Sequence, residues 1–395
     1  MKPAWDETEA RRCGSALALR TYTSRLIGSD PSLVLHGGGN TSLKLDGRLY
    51  VKGTGSDLAA VHEADFTALD LAALRGLLAD DRLPDAELMR RVDACKLSPT
   101  APKPSIETLL HAALPRTFVE HAHADAVLAV ANVARSAEAC AAAFGNHAPL
   151  VPYRHSGAAL ARACISVFER KATPDTIGLI LAFHGVVAFG DTARDSYANL
   201  LRLVAMAEGH LQKHAVARIT VAKPQNPDLA EAERLRSAAS ALAGHPLAMK
   251  VVCTPETLAF AGRPDLAVVS QQGPPTPQHA IFTKRVPLID SDVAAYAARY
   301  RRYLERTLGG AAEGRIDPAP RIALDPRFGL CAFGVNARYA AIAAETYLHD
   351  IDIITRAATH GDYRAAGEHD IARAELEYGG FELRVRGQAL IATED

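Results

Sequence analysis

The stretch Val119-Glu120-His121-Ala122-His123-Ala124 places two histidines one residue apart at the end of a short apolar run. Residues 117–121 have the pattern of a β-strand, and side chains two apart on a strand point to the same face of the sheet. Two imidazoles that project together from a strand end can hold one metal ion. An H-x-H pair by itself is more often a surface feature or a satisfied polar pair, so the rest of the chain decides its interpretation.

The composition of the 395 residues is typical of a soluble globular protein, with 48% hydrophobic and 23% charged residues. The formal net charge is −1 and no long basic run is present, so we expect no nucleic-acid partner. The N-terminus is charged where a signal peptide needs an apolar core, and no run approaches the roughly 18 apolar residues of a membrane span. The six cysteines are scattered singly, which favours reduced thiols and a cytoplasmic protein without a membrane segment.

Strands and helices alternate along the first part of the chain, and this alternation predicts a layered α/β fold. Strands are predicted at 41–45 and 49–52 around an Asp46-Gly47 turn, and then at 117–121, 150–151, 176–182 and 186–189. Helices are predicted at 6–27, 65–78, 105–114, 124–132, 157–170 and 196–214.

Linker chemistry at residues 222–228 predicts a domain boundary, which divides the chain into 1–222 and 223–395. Beyond it, helices are predicted near 229–243, 290–308 and 336–359, with a turn-rich segment at 271–279.

His184, followed by Gly185, is the third candidate metal ligand. With His121 and His123 it gives three neutral imidazoles, which leave one coordination position open, as in catalytic zinc sites. Zinc is the first choice for such a set, and Mn²⁺, Co²⁺ and Fe²⁺ are alternatives. A histidine in a turn before a glycine is the simpler interpretation of His184 when it is considered alone.

Glu107 lies four residues before His111, so the two share one face of the predicted 105–114 helix. A carboxylate beside a metal-bound substrate is a natural acid–base group, although an exposed helix glutamate is the commoner situation. His111 is interpreted as a further ligand, as a supporting group, or as an ordinary core or surface histidine.

Three segments are candidates for binding an anion. The glycine-rich stretch 37–42 and the stretch 53–56 can bring backbone N–H groups close to a phosphate. Ser105 is placed at the start of a predicted helix, where anions are favoured. Each of the three alone is more often a turn than a ligand site.

Together these motifs resemble the class II aldolase/adducin family. The motifs occur in the family's order and at its spacing over about residues 10–215: Asn40-Thr41-Ser42, Lys52-Gly53-Thr54-Gly55, Ser105-x-Glu107-x-x-x-His111, His121-x-His123 and His184-Gly185. Longer matches at 36–42, 104–111, 273–279, 283–284 and 325–330 are closest to the aldolase portion of bifunctional rhamnulose-1-phosphate aldolase/short-chain dehydrogenases. A Rossmann domain follows in that branch. No glycine-rich nucleotide loop stands near residue 395, so we expect a protein without the dehydrogenase.

The resemblance implies a layered α/β/α domain with a central, mostly antiparallel sheet, plus a smaller C-terminal α/β extension. It implies zinc binding by His121, His123 and His184, with Glu107 as the catalytic carboxylate. The residues that match the substrate-phosphate region are Asn40, Thr41, Thr54, Gly55 and Ser105, and the further site candidates are Gly39, His111 and Tyr153, the last as a proton donor.

The implied activity is that of a metal-dependent aldehyde-lyase that cleaves a ketose 1-phosphate through a metal-stabilised enediolate, with Glu107 carrying the proton. The resemblance also implies a homo-oligomer, expected to be a tetramer, that acts on a small sugar phosphate. A sugar-phosphate 4-epimerase or a decarboxylase on the same fold is the first alternative, and a non-catalytic adducin-like binding module is the second. Gln278 and Phe183 depart from the branch's pattern, which leaves the substrate open.

Overall fold

The computed structural model describes residues 4–78, 85–214 and 226–377. The chain divides into two compact units, Met1–Ala131 with Arg135–Lys213 and Asn132–Ala134 with His214–Asp395. The predicted boundary between residues 222 and 223 lies outside the described residues and stays a prediction. In the ranges that are described, every helix is too short or too polar to cross a membrane.

A seven-stranded sheet forms the centre of the first unit. Its strands are β1 Asn40–Leu45, β2 Arg48–Lys52, β3 Phe66–Asp70, β4 Phe118–Ala122, β5 Leu150–Val151, β6 Gly178–Leu181 and β7 Gly185–Gly190. The spatial order is β3-β2-β1-β4-β7-β6-β5, and every pair is antiparallel except β5 and β6. The prediction of a mostly antiparallel sheet is therefore confirmed.

Helices cover both faces of this sheet. They are α1 Glu7–Arg12, α2 Ala16–Gly28, α3 Leu71–Leu78, α4 Asp85–Ala94, α5 Thr108–Ala113, α6 Asp125–Ala131, α7 Ser136–Phe144, α8 Ala158–Lys171 and α9 Ala193–Lys213. Helices α3, α4, α5 and α8 bury apolar side chains against one face, where Val119 and Val187 project from the strands. Helices α2, α6, α7 and α9 pack on the other face, which confirms the layered α/β/α arrangement.

Two of the predicted helices are only partly helical. The predicted helix 6–27 is two helices, because α2 begins anew after Ser15, whose Oγ accepts a hydrogen bond of 2.9 Å from the Ala18 N–H. The predicted helix 65–78 was wrong over its first part, where residues 66–70 form β3. Pairing of these residues with β2 overrides their local helical pattern.

The predicted helix 105–114 begins later than expected. Residues 105–107 form a turn in which the Thr108 N–H donates to the Ser105 carbonyl over 3.0 Å, and α5 starts at Thr108. Glu107 rather than Ser105 therefore occupies the position before the helix. Helices α4 and α7 were not predicted.

The pairing of β1 with β4 determines which of their side chains lie on each face of the central sheet. Asn40 lies opposite His121 and Thr41 lies opposite Glu120. Because Val119 belongs to the core beneath α5, His121 and Asn40 also project toward that side. Thr41 and Glu120 project toward α2.

On the α2 side of the sheet, a buried ion pair joins the helix to β4. Arg20 of α2 and Glu120 of β4 lie 2.6 Å apart, and both side chains are fully buried. The Ser196 hydroxyl of α9 donates to the same carboxylate over 2.7 Å. On this face of the sheet, the polar side chain of β4 therefore joins the strand to two helices.

The second unit contains a three-stranded antiparallel sheet in the order β8-β10-β9. Its strands are β8 Ala248–Val252, β9 Ile322–Asp325 and β10 Gly329–Gly334, and its helices are α10 Leu229–Ala243, α11 Pro255–Ala261, α12 Leu266–Val269, α13 Ala280–Thr283, α14 Val293–Leu308 and α15 Ala337–Ala357. Residues 368–377 are also helical. The helix predicted at 229–243 has the observed bounds, whereas none of these three strands was predicted individually.

The segment 273–279 is a turn-rich stretch, as its prolines and glycine predict. The Tyr363 hydroxyl donates to the Gly273 carbonyl over 2.9 Å. His279 Nδ1 lies 2.6 Å from Asp350 Oδ1, and both side chains are buried. Contacts at both ends therefore hold the segment in place within the second unit.

Candidate active site

Three histidines converge at the end of the central sheet of the first unit. His121 lies on β4, His123 directly follows that strand, and His184 lies in the turn between β6 and β7. One ring nitrogen of each lies within 4.8 Å of the others, and Nε2 of His121 is 3.1 Å from Nε2 of His123. The structure therefore places the three predicted metal ligands together.

The surroundings of His121 suit a metal ligand. Its Nδ1 lies 3.0 Å from the Val186 carbonyl, which can only accept a hydrogen bond, so Nδ1 carries the proton and Nε2 is left with its lone pair. Burial lowers the pKa of His121 and so favours the neutral imidazole, with the Glu107 carboxylate acting in the opposite direction. A neutral imidazole fixed through its second nitrogen is the usual state of a metal-bound histidine. The donor set therefore fits a divalent cation.

Glycine is required at two positions that approach the end of β4. Gly185 has φ +154°, and a Cβ there would lie 2.3 Å from the Ala122 carbonyl oxygen and 3.1 Å from His123 Cδ2. Gly39 has φ +62°, and its Cβ would lie 2.6 Å from the His121 carbonyl oxygen. The two glycines let the neighbouring segments lie directly against the strand that carries the histidines.

Glu107 is the only carboxylate the sequence predicted for this site, and both of its oxygens are engaged. Oε2 accepts a hydrogen bond of 2.6 Å from Asn40 Nδ2 and lies 3.3 Å from His121 Nε2. Oε1 accepts one of 3.2 Å from the Ser156 hydroxyl and lies 3.1 Å from His184 Nε2. The carboxylate therefore sits beside the nitrogen atoms that would hold a metal.

The charge state of Glu107 follows from these neighbours. Burial opposes ionisation, but His121 and His184, together with hydrogen bonds from His184 and Asn40, outweigh it and hold the pKa of Glu107 well below its usual value. The group is therefore a carboxylate at neutral pH and can accept a proton.

His111 is a fully buried neighbour of this group rather than one of the converging ligands. Its Nε2 contacts Asn40 Oδ1 in a short hydrogen bond, and its Nδ1 lies 2.7 Å from the Ser42 hydroxyl. Burial and the nearby Lys44 ammonium lower the pKa of His111 well below its usual value. Both ring nitrogens of His111 therefore make hydrogen bonds to other side chains of the protein.

Three predicted phosphate-binding residues lie on two segments that a hydrogen bond joins, and one of these segments leads into Glu107. The Thr54 hydroxyl donates to the Pro104 carbonyl over 3.1 Å, which joins the loop around Gly55 to the segment before Ser105. Ser105 Oγ accepts a hydrogen bond of 3.2 Å from the Glu107 N–H. Gly55 is exposed, and its φ of +90° is of the kind glycine allows.

Lys52 was not predicted as a site residue, although it belongs to the Lys52-Gly53-Thr54-Gly55 motif. It is 3% exposed, and its ammonium donates to the carbonyl of Gly37 in the glycine-rich loop over 3.1 Å. Burial lowers its pKa to about 8, opposed by Asp57, Glu107 and Asp65. A buried cation therefore lies at the glycine-rich loop.

Two other predicted residues have different positions. The Thr41 side chain is on the α2 side of the sheet, 2.8 Å from the Ser24 hydroxyl, so the structure does not bring it together with the histidines. Adjacent strand residues alternate in direction, and this rule could have separated Thr41 from Asn40 in the sequence. The Tyr153 ring lies 6.5 Å from the Phe183 ring, next to the turn that carries His184.

Ser156 is the other site residue that the sequence did not indicate. It lies in the loop between β5 and α8, and nothing in the residues around it resembles a motif. Only the folded chain shows that its hydroxyl reaches Glu107.

Two family models match the chain. Residues 20–211 match the class II aldolase and adducin N-terminal domain, and residues 226–384 match the second domain of class II aldolases. The uncharacterized oxidoreductase YuxG of Bacillus subtilis is 27% identical over 420 residues, a match that covers 97% of this chain and 60% of YuxG. The chain thus spans about 60% of the length of that curated relative.

Solved structures of class II aldolases are also similar to the first part of the chain. The N-terminal class II aldolase domain of a conserved protein from Thermoplasma acidophilum is 34% identical, with a TM-score of 0.49, and the match covers 53% of this chain and 98% of that domain. The L-fuculose-1-phosphate aldolase from Thermus thermophilus is 16% identical, with a TM-score of 0.34, over 49% of this chain and 95% of that one. From the two family-model matches, we conclude that the chain belongs to the class II aldolase and adducin family.

Proposed function

We propose that the protein is a zinc-dependent class II aldolase that cleaves a ketose 1-phosphate, of the rhamnulose 1-phosphate type, into dihydroxyacetone phosphate and an aldehyde. One observation carries the proposal: the buried Glu107 carboxylate lies 3.1 Å from His184 Nε2 and 3.3 Å from His121 Nε2, within a group of three converging histidines. A carboxylate that can carry a proton and three imidazoles that can hold a metal thus lie together in the part of the chain that matches the class II aldolase domain, which supports the proposal.

The proposed metal ligands are His121, His123 and His184, with Zn²⁺ as the first choice and Mn²⁺, Co²⁺ or Fe²⁺ as alternatives. A bound divalent cation supplies Lewis-acid stabilisation of the negative charge that develops on the substrate when the C3–C4 bond breaks. In the condensation direction the Glu107 carboxylate takes a proton from C3. In the cleavage direction it takes up a proton from solvent and gives it to C3 after the aldehyde departs. Tyr153 is the candidate for handling the proton of the C4 hydroxyl.

The phosphate end of the substrate is proposed to lie against the glycine-rich loop and the Thr54–Gly55 loop. Gly39, Gly55 and Ser105 offer backbone N–H groups and a hydroxyl of the kind that bind phosphate. The N–H and hydroxyl of Thr54 donate to the Lys103 and Pro104 carbonyls, so this residue holds the loop in place beside them. Lys52 adds a buried positive charge at the glycine-rich loop, which favours an anionic group there. Asn40, in this proposal, serves the substrate region and Glu107 at once. Thr41 can contribute only through its backbone, because its side chain bonds to Ser24.

The substrate assignment is tested by incubating the zinc-loaded protein with rhamnulose 1-phosphate, fuculose 1-phosphate and related ketose phosphates. We expect release of dihydroxyacetone phosphate, its loss after treatment with a chelator, and its return when zinc is added. Formation of a 4-epimer or of carbon dioxide in its place would favour the alternative reactions. No conversion of any of these compounds would contradict the proposal and favour a binding module.

Two substitutions separate the metal ligands from the proton carrier. His121→Ala is expected to lose bound zinc, because two imidazoles do not hold the ion as tightly as three. Glu107→Gln is expected to retain zinc and to lose roughly 10²- to 10⁴-fold in activity, the range typical of general acid–base groups. Metal analysis and the cleavage assay measure the two effects, and zinc loss by Glu107→Gln would make that residue a ligand instead.

The same proposal includes a homotetramer in the cytoplasm, as the family resemblance implies. Light scattering of the purified protein is expected to give a mass about four times that of one chain. A stable monomer with full activity would contradict the tetramer and leave the reaction unaffected.

A further inference from the structure

Four buried side chains of the first unit form an unbroken chain of hydrogen bonds that ends on the proposed proton carrier. The Ser42 hydroxyl lies 2.7 Å from His111 Nδ1, and His111 Nε2 contacts Asn40 Oδ1. Asn40 Nδ2 then lies 2.6 Å from Glu107 Oε2. All four side chains are less than a tenth exposed, so solvent does not replace any of these bonds.

The direction of every bond in this chain is fixed by its last member. A carboxylate only accepts hydrogen bonds, so Asn40 must present its amide nitrogen to Glu107 and its oxygen to His111. The amide oxygen is an acceptor, and His111 Nε2 must therefore carry the hydrogen. In a neutral imidazole Nδ1 is then an acceptor, and the Ser42 hydroxyl donates to it.

The opposite tautomer of His111 would bring two hydrogen-bond acceptors together. With its hydrogen on Nδ1, His111 would point the lone pair of Nε2 at the oxygen of Asn40. An amide flip would relieve that contact, but it would turn the Asn40 oxygen toward the Glu107 carboxylate. The tautomer of His111 and the orientation of the Asn40 amide are therefore set together.

We infer that His111 is a positioning residue: its Nε2–H tautomer fixes the Asn40 amide, and that amide holds Glu107 Oε2 in place. The local structure supports this geometry. Asn40 and Ser42 are two apart on β1 and so lie on one face, and His111 reaches both from α5. The inference rests on the proposed function for one point only, the role of Glu107 as the proton carrier.

The tautomer is tested directly by ¹⁵N NMR of the full-length protein labelled at histidine, metal-free and zinc-loaded, between pH 6 and 8. The signals of His111 are identified by their loss in His111→Leu. We expect the shifts of a neutral ring with hydrogen on Nε2 throughout. A ring with hydrogen on Nδ1, or a doubly protonated ring, would overturn the inference whatever reaction the protein catalyses.

The effect on Glu107 is tested by the rate at which dihydroxyacetone phosphate exchanges its C3 hydrogen with deuterated solvent. His111→Leu is expected to slow exchange by about 10- to 100-fold, the usual cost of losing a supporting partner, with one zinc per chain retained and KM little changed. His111→Gln, which keeps an N–H donor, is expected to recover part of the rate.

Ser156→Ala is the matched variant, because it removes a hydrogen bond to the other oxygen of Glu107 and leaves the Ser42–His111–Asn40 chain intact. It is expected to keep the ¹⁵N pattern of His111. Exchange at the wild-type rate in His111→Leu, zinc loss in that variant, or no recovery by His111→Gln would each overturn the positioning role. No exchange by the zinc-loaded wild-type protein would instead refute the proposed function, and the NMR result would still decide the tautomer.

Discussion

Gly185 lies where the backbone leaves no room for a side chain, and this single residue determines how close His184 comes to His123. We expect Gly185→Ala to lose most of its bound zinc and to lower the urea midpoint, because a Cβ at this position would lie 2.3 Å from the Ala122 carbonyl oxygen. Metal analysis and urea unfolding measure the two effects.

Gly145→Ala is the control for this substitution. Gly145 also has a positive φ, of +52°, but nothing lies within 4 Å of the position its Cβ would take. Only the backbone strain, roughly 1–3 kcal/mol for this sparsely populated conformation, is then expected, with zinc retained. Equal zinc loss in both variants would show that strain rather than the close approach is responsible.

At the scale of elements, the Arg20–Glu120 ion pair joins α2 to β4. Arg20→Met is expected to reduce the free energy of unfolding by about 3–5 kcal/mol, because it leaves the Glu120 carboxylate buried without its partner. The double substitution Arg20→Met with Glu120→Leu is expected to recover most of this loss, since it removes both charges. Urea unfolding of the three proteins tests the coupling, and additive losses would contradict it.

Helix 368–377 gives a second prediction at this scale, through the pKa of Glu375. The hydroxyls of Tyr300 and Tyr303, both on α14, donate to the two Glu375 carboxylate oxygens. Burial raises the pKa of Glu375 from 4.5 to about 7, with Lys284 acting in the opposite direction. The folded protein therefore binds more protons than the unfolded chain between these pH values, and its stability falls as pH rises through that window.

We expect ionisation of Glu375 to lower the free energy of unfolding by roughly 3 kcal/mol as pH rises from 4.5 to 7.5, since one pKa unit corresponds to about 1.4 kcal/mol. Other groups titrate in the same range, so the comparison is with Glu375→Gln, which cannot ionise. The difference in unfolding free energy between the two proteins, followed against pH, should show the slope. A difference that does not change with pH would contradict the raised pKa.

For the molecule as a whole, the site belongs to one unit. The three histidines, Glu107 and the two residues that donate hydrogen bonds to Glu107, Asn40 and Ser156, lie within Met1–Ala131 and Arg135–Lys213. We therefore expect a fragment of residues 1–222, the proposed catalytic domain, to bind zinc. Its urea midpoint should be lower than that of the whole chain, because the Asn132 carbonyl and the Ala134 N–H lose their partners Arg364 and Asp362. A folded fragment that binds no zinc would contradict this division.

Several elements of both units could be predicted because their signals are local. The Asp46-Gly47 turn carries its own conformational signature, with φ of +49° and +73°, and the helix at 229–243 follows from periodicity alone. Strand β3 could not be predicted, since residues 66–70 become a strand only through pairing with β2. The strands of the second unit were missed for the same reason.

In the candidate site, too, some residues could be predicted from the sequence and others could not. His121, His123, His184 and Glu107 stand in spaced motifs, so the sequence indicates them before any coordinates exist. Ser156 reaches Glu107 only through the path of a loop, and the chain carries no pattern for it. The tautomer of His111 depends on which atoms of Asn40 face it, which is a property of the folded packing rather than of residue type.

Neighbouring side chains of β4 project from opposite faces of the sheet, so the length of this strand determines which residue faces the candidate site. His121 belongs to the candidate site on one side of the sheet, and Glu120, the residue before it, pairs with Arg20 on the other side. Inserting or deleting one residue ahead of them would exchange the two roles, turning a carboxylate into the histidine pocket and an imidazole toward Arg20. We therefore expect a change of one residue in the length of β4 to disrupt the candidate site and the Arg20–Glu120 pair together.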